Sequence, residues 1–236
     1  VTLETFAHIV AHDLKAPLNG IASMVDFVVE DYADRLDEDG REQLRLMQEL
    51  ATRGVRMIDG LRRFSRLAEA PCQPRTLDLA ALAARAIAQA ATRVPDATVV
   101  ADIDPALPPV SGDPALVPDL LVELAANAVL FHRGARRPVR VAPLPAGDPA
   151  VPPGFTGLAV SDTGIGIEPR FHAAVFDMFK RLHAPGTFGG GIGAGLAIAR
   201  AIVERHGGAI WIAGSAPEAG TTVALTLPAV PAPSPE

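Results

Sequence analysis

The stretch Ala11-His12-Asp13-Leu14-Lys15-Ala16-Pro17-Leu18 decides how this chain is read. It sets an imidazole beside a carboxylate, near the start of a long segment with helical periodicity. Phe6, Val10, Leu14, Pro17, Ile21, Met24 and Val28 recur at spacings of three and four, which marks one face of a helix. Leu44, Met47, Leu50, Gly54, Met57, Leu61 and Phe64 repeat the pattern, and the charged run Asp34 to Gly40 between the two sets breaks it. Residues 1–68 are therefore expected to form an antiparallel helical hairpin. Each helix carries an apolar stripe that a lone hairpin leaves partly bare, so a homodimer making a four-helix bundle is expected.

His12 lies two residues from both Val10 and Leu14, about 200° around a helix. Its ring is expected to point away from the bundle axis, toward solvent or a docked partner. A neutral imidazole nitrogen can attack a phosphoryl group while the other nitrogen keeps its proton. Asp13 is placed to accept that N–H, fix the tautomer and stabilise the imidazolium that develops. Pro17 offers no N–H to the Asp13 carbonyl, which predicts a bend just after the histidine. Alone, a His-Asp pair is most often an ordinary surface pair; the residues downstream decide otherwise. His8 is expected to be exposed. His132, His172, His183 and His206 share no metal-ligand spacing and read as structural or surface residues.

Glu69 to Thr76, with Pro71 and Pro74, reads as a linker. A second domain is expected over 77–228, making the chain multidomain, α then α+β. Leu77–Ala91 reads as a helix, Thr98–Ile103 as a strand and Pro105–Pro109 as a turn. Asp113–Ala128 is helical, with Asp113 as N-cap and Pro114 at the first helical position. Val139–Ala142 and Gly157–Ser161 read as strands, joined by the Pro/Gly-rich loop Pro143–Gly154. Ile192–His206 is expected to be a helix, Ala209–Ala213 and Thr221–Leu227 closing strands, and 229–236 a frayed tail after Pro228. Helices and strands mix here, so this half is expected to be an α/β sandwich.

Three boxes in that half suit a nucleotide. Glu123 and Asn127 are four apart, hence on one helical face. The Asn127 carbonyl oxygen is a hard ligand suited to Mg²⁺, and Glu123 can polarise a water or bind the hydrated metal. Asp162 ends a strand and precedes Gly164 and Gly166. Its carboxylate can accept from the exocyclic amine of adenine while the glycines let the backbone approach the base. Gly191, Gly193, Gly195 and Leu196 open the helix that follows, where backbone N–H groups favour phosphate oxygens. Between the glycine boxes, Arg170–Phe188 reads as a mobile lid anchored by Phe176 and Phe179, from which Lys180 or Arg181 could reach a phosphate.

Composition sets outer bounds. The 236 residues suffice for one large domain or two modest ones, and 49% are hydrophobic. A net charge of −6 gives no electrostatic reason to expect nucleic acid. The single cysteine, Cys72, cannot make an internal disulfide, which fits a reducing compartment; it reads as a linker-side thiol without chemistry. No apolar run has the length of a membrane span, and the first residue is Val1 with no signal peptide. The expectation is a cytoplasmic piece of a longer protein with an upstream sensor domain, the full-length protein being either soluble or membrane-anchored.

In this order, the His12, Asn127, Asp162, phenylalanine and Gly191 boxes resemble the catalytic core of a sensor histidine kinase of a two-component system. The resemblance covers residues 1 to about 228: a dimerisation and histidine-phosphotransfer domain, then an ATP-binding domain of the gyrase/Hsp90/histidine-kinase/MutL superfamily. Phe179-Lys180-Arg181-Leu182-His183 and Val203-Glu204-Arg205-His206-Gly207-Gly208 are similar to kinases of phytochrome-like photoreceptors. The resemblance implies that His12 is phosphorylated from ATP and passes the phosphoryl group to an aspartate on a response regulator receiver domain. It implies Asp13 as acid/base residue, Asn127 as Mg²⁺ ligand and Asp162 as adenine reader.

Two positions depart from the family pattern. Leu130 stands where a lysine or arginine is frequent, so either one phosphate contact is missing or Arg133 or Lys180 supplies it. Ala16 stands where threonine or asparagine often orients a water, which predicts weak or absent dephosphorylation of the regulator by that route. The competing expectation is a pseudokinase or phosphotransfer scaffold that docks a regulator without using ATP. An ATPase of the chaperone or topoisomerase kind fails to explain the His12 hairpin.

Overall fold

The computed structural model describes residues 3–69, 72–183, 187–188 and 191–231, with backbone alone for 3–10, 12, 68 and 69. The chain divides into two compact units, Val1–Glu69 and Ala70–Glu236.

The first unit is a hairpin of two long helices, α1 (Leu3–Tyr32) and α2 (Glu38–Glu69), joined through a 3-10 turn at Ala33–Arg35. Asp37 starts α2: its Oδ1 accepts the Gly40 N–H at 2.7 Å and its carbonyl accepts the Arg41 N–H at 3.1 Å. The Arg41 side chain closes the turn by donating to the Ala33 carbonyl at 3.0 Å. Pro17 is accommodated inside α1.

The seam between the helices is narrow. Ala11 and Val25 of α1, and Ala51, Ile58 and Ser65 of α2, are buried in it at seven- or fourteen-residue intervals. Leu18 fits over Gly54, where a Cβ would lie 2.8 Å from Leu18 Cδ1. This is the repeat of a coiled-coil-like seam with small residues permitting close approach. Lys15 meets Asp59 at 2.5 Å, and the Gln48 amide donates to Asp26. Of the stripe legible in the sequence, Gly54 lies within this seam, while most of the larger residues lie beside it. Leu14, Ile21, Met24, Val28, Met47, Leu50 and Leu61 are exposed in the single chain, together with Phe27 and Leu46. The direction of the His12 ring lies outside the described residues. No described helix is long and apolar enough to cross a membrane.

The second unit runs β1 (Arg75–Leu77), α3 (Leu79–Ala91), β2 (Thr98–Ile103), β3 (Val110–Gly112), α4 (Leu116–Leu130), β4 (Arg136–Pro143), β5 (Phe155–Asp162), α5 (Gly195–Arg205), β6 (Ile210–Ser215) and β7 (Thr221–Pro228). The five-stranded sheet has the order β2-β4-β5-β7-β6, with β2 and β4 parallel and the other pairs antiparallel. α4 packs between α3 and α5, and all three helices contact the sheet. Register puts Val139, Val141, Leu158, Val160, Val223, Leu225 and Leu227 on one face, and all are buried. Asp162 pairs opposite Val139, so it ends β5 on that same face. The opposite face carries Arg140, paired with Asp102 at 2.5 Å. The α/β sandwich is the observed architecture.

Several boundaries differ from expectation. Arg75 and Thr76, placed in a linker by composition, are strand residues paired with Gly112 and Ser111. The helix expected from Leu77 starts at Leu79, because Asp78 caps it by accepting the Ala81 N–H at 3.1 Å. Pro114 is not the first helical residue: α4 begins at Leu116. Asp113 still serves that end, its Oδ1 accepting from Ala115 at 2.8 Å and Leu116 at 3.3 Å. The glycine box precedes α5, which begins only at Gly195, since φ of +76° at Gly193 is not helical. Ala229, expected in the tail, bridges to Val110 and donates to the Gly154 carbonyl at 2.8 Å.

Candidate active site

One face of α4 is the floor of the site. Glu123, Asn127 and Phe131 follow one another at intervals of four, so they share that face. At one end stands Gly195, the first residue of α5. A Cβ there would lie 2.8 Å from Glu123 Oε2, and 3.7 and 3.8 Å from the Asn127 amide nitrogen and oxygen. The Asn127 Nδ2 is buried with no hydrogen-bond partner. A native protein rarely leaves such a donor orphaned without a use for the space beside it.

At the other end, the loop after β5 rests on the C-terminus of α4. The Ile165 N–H donates to the Phe131 carbonyl at 2.9 Å, and a Cβ on Gly164 would stand 2.2 Å from that oxygen. Gly166, at φ +70°, passes under the Ala216 carbonyl, which would be 1.8 Å from a Cβ. Asp162 Oδ1 accepts the N–H of Gly164 at 2.7 Å and of Thr221 at 3.2 Å. Burial pushes the Asp162 carboxyl up to about 6, against the opposite effect of those two donors.

The segment between the glycine boxes is pinned at its base. The Phe179 N–H donates to the Gly193 carbonyl at 2.9 Å. A Cβ on Gly193 would come within 2.5 Å of the Lys180 carbonyl, so only glycine fits beneath that strand of chain. Phe179 itself takes φ +63°, a strained value for a side chain of that bulk. Phe176 is buried. Farther along, His183 stacks edge-on against Phe188 at 5.1 Å, and both rings approach Phe131, at 6.1 and 6.0 Å.

The structure thus brings Glu123, Asn127 and Gly195 together, and sets Gly164, whose N–H donates to Asp162, on the far end of the same helix, with Gly166 against Ala216. Gly193 joins through the backbone of Phe179 and Lys180. Lys180 is exposed, Arg181 and Leu196 are half-buried, and Gly191 has open space around it. Arg133 sits 3.4 Å from Glu218. His12 and Asp13 belong to the hairpin unit, where Asp13 is exposed. Sequence reasoning missed the Thr221 N–H and the Phe131 carbonyl. Both act through the backbone and across the fold, so no residue type announced them.

The cluster around His206 is separate from this floor. His206 Nε2 accepts the Asp113 N–H at 2.9 Å, which places the ring proton on Nδ1, 2.7 Å from the Ile202 carbonyl. Asp113 Oδ2 accepts the Gln73 N–H at 3.0 Å, and Cys72 Sγ lies 3.8 Å from His206 Nε2. Burial alone would raise the Asp113 carboxyl, but the N–H groups of Gln73, Ala115 and Leu116 outweigh it and hold the group low. Burial, then Asp113, push the Cys72 thiol up, which keeps it protonated.

A mixed sheet under three helices, with an asparagine floor, an acid at a strand end and glycine-rich ends, defines a nucleotide-binding sandwich. Residues 112–231 match the family described as Histidine kinase-, DNA gyrase B-, and HSP90-like ATPase. Residues 2–70 match the His Kinase A (phospho-acceptor) domain. The chain belongs to the histidine kinases and comprises their catalytic core. It is 37% identical over 225 residues to cyanobacterial phytochrome B of Nostoc sp., covering 95% of this chain and 29% of that protein. It is 29% identical over 230 residues to phytochrome-like protein Cph1 of Synechocystis sp., covering 96% and 29%. The chain therefore spans less than a third of these curated relatives. Full-length ShkA in complex with AMPPNP shares the fold at a TM-score of 0.66 and 22% identity, over 97% of this chain and 46% of that one. The mycobacterial sensor histidine kinase MprB matches at 0.53 and 26%, over 68% and 100%.

Proposed function

We propose that this core is an ATP-dependent protein-histidine kinase that phosphorylates its own His12 and passes the phosphoryl group to an aspartate of a response regulator. The observation that carries the reading is the orphaned Asn127 amide beside the bare Cα of Gly195. Space and polarity are reserved there, at the start of a helix whose first N–H groups have no intrahelical partners.

Asp162 reads the adenine amine, and Gly164 and Gly166 let the base lie close to the chain. Backbone N–H groups from Gly191 through Leu196 hold phosphate oxygens, with Lys180 or Arg181 adding charge from the lid. The hard oxygen of Asn127 fits Mg²⁺, with Glu123 toward its water shell; bound there, the metal neutralises phosphate charge. The unprotonated nitrogen of His12 attacks the γ-phosphorus. A P–N bond forms as the bond from phosphorus to the bridging oxygen breaks, and ADP leaves with that oxygen. Asp13 holds the proton on the other ring nitrogen beforehand and stabilises the imidazolium afterwards. The regulator's carboxylate then attacks phosphorus and the P–N bond breaks.

The exposed apolar side of the hairpin supports a homodimer through a four-helix bundle. The short span of the chain within its relatives supports an upstream sensor domain, and the similarity to phytochromes supports the phytochrome-like kinase group. Incubation with γ-labelled ATP and Mg²⁺ tests the reading. Acid-labile, base-stable label is expected on the wild type and on neither His12→Ala nor Asn127→Ala. ATP binding without label would favour a pseudokinase, and no binding a scaffold.

A further inference from the structure

His132 has no role in the reading above, yet it reaches the loop that carries the adenine reader. It follows Phe131, whose carbonyl supports Gly164 and Ile165. Its Nδ1 accepts the Gly134 N–H at 2.8 Å, so the ring proton resides on Nε2. Nε2 lies 3.2 Å from Thr163 Oγ1 and donates to it. Thr163 is the residue between Asp162 and Gly164.

The loop is thus attached to the end of α4 at two places. The Phe131 carbonyl holds its far side through Ile165. The imidazole holds its near side, one residue from the acid. The other side of the loop is held by the N–H groups of Gly220 and Glu218, which donate to the Gly164 and Ile165 carbonyls at 3.0 and 2.8 Å, and by Ser215 Oγ, which accepts the Ile167 N–H at 2.7 Å; the imidazole adds a hold at Thr163, the residue next to the acid. The Asp162 carboxylate is otherwise set by two backbone donors, one of them Gly164 in this same loop. Thr163 stands between that carboxylate and its Gly164 donor, so fixing Thr163 fixes the approach of that N–H. The imidazole in turn is held by Gly134 in the short connection to β4.

We infer that His132 is a positioning residue for nucleotide binding: through the Thr163 hydroxyl it fixes the loop that aims Asp162, without touching ATP or the reacting atoms. This rests on the assignment of Asp162 as adenine reader. A pre-set loop spares the ordering cost that binding would otherwise incur, so the effect falls on affinity and not on turnover.

The test measures ATP dissociation constants and autophosphorylation rates at saturating ATP on the chain as it stands. His132→Ala and Thr163→Val are each expected to weaken ATP binding about fivefold, a change of roughly one hydrogen bond. The double variant should be no worse than either alone, because both remove one interaction. Thr163→Ser keeps the hydroxyl and should bind as the wild type does. The saturated rate should stay within about twofold throughout. Unchanged affinity in His132→Ala and Thr163→Val, losses that multiply in the double variant, or a fall in rate at constant affinity would overturn the inference. Asp162→Asn separates the two levels. If it alone weakens binding, the adenine reading stands and the role of His132 fails. If it binds as the wild type does, the adenine reading fails and the inference with it.

Discussion

A carboxyl group that burial pushes up to about 6 resists ionisation, and Asp162 is such a group. Its folded value lies above the ordinary 3.8, so the folded state holds the proton more tightly than the unfolded one. The penalty is absent at pH 3, grows from about 4 to 6, and is complete above that, at about 2–3 kcal/mol. Asp162→Asn should therefore raise stability at pH 7.5 by up to that amount and leave it unchanged near pH 4, by calorimetry of both proteins across the range. If Asp162 contacts adenine as proposed, the same substitution should weaken ATP binding. Gly195 makes the complementary case. Gly195→Ala adds a Cβ 2.8 Å from Glu123 Oε2 and beside Asn127, inside the reserved space. Alanine favours a helix by up to about 1 kcal/mol over glycine, so the variant should melt no lower than wild type. Its affinity for ATP should fall at least about tenfold, by titration calorimetry. Both residues were legible in the sequence, since an acid after a strand and glycines before a helix are distinctive types at distinctive places. Their partners, Thr221 N–H and Phe131 C=O, were not, since any residue supplies a backbone group.

The His206 staple works between elements. It joins the entry to α4 to the last turn of α5 through Asp113 and Ile202, while Asp113 holds Gln73 just ahead of β1. His206→Ala leaves the Asp113 N–H and the Ile202 carbonyl without this partner in a buried place. It should cost about 2–4 kcal/mol in urea unfolding of the ATP-binding unit. Cys72→Ala, which removes only a contact at 3.8 Å, should cost less than about 1 kcal/mol. The sequence reading of His206 as structural agrees with its two satisfied ring nitrogens. Its partner Asp113 lies 93 residues away, which no local pattern reveals. The long helices and the central strands were legible because periodicity accumulates over many residues. β1 was not: three residues after a proline carry no period, and pairing with β3 makes the strand. The hairpin seam was hidden for another reason. Gly54 belonged to the periodic set, but Ala11 and Ala51, which close the seam, are too small to stand out from the larger apolar residues alongside.

Those larger residues matter for the whole molecule. Met24 is 70% exposed, Phe27 64% and Leu50 56%, on a hairpin whose own seam is already closed. Burying one such side chain is worth about 1.5–3 kcal/mol, so a row of them can hold two copies together. Met24→Glu combined with Leu50→Glu should convert a dimer to a monomer in light scattering, with the ATP affinity of the second unit unchanged. Under the proposed function, the nucleotide site on α4 serves His12 on α1. Locating the phosphoryl group by fragmentation mass spectrometry, under conditions that preserve P–N bonds, tests it most directly. After incubation with Mg²⁺ and ATP, phosphate is expected on His12 in the wild type and absent from a folded Asn127→Ala variant. Phosphate on another residue, or on His12 regardless of Asn127, would contradict it.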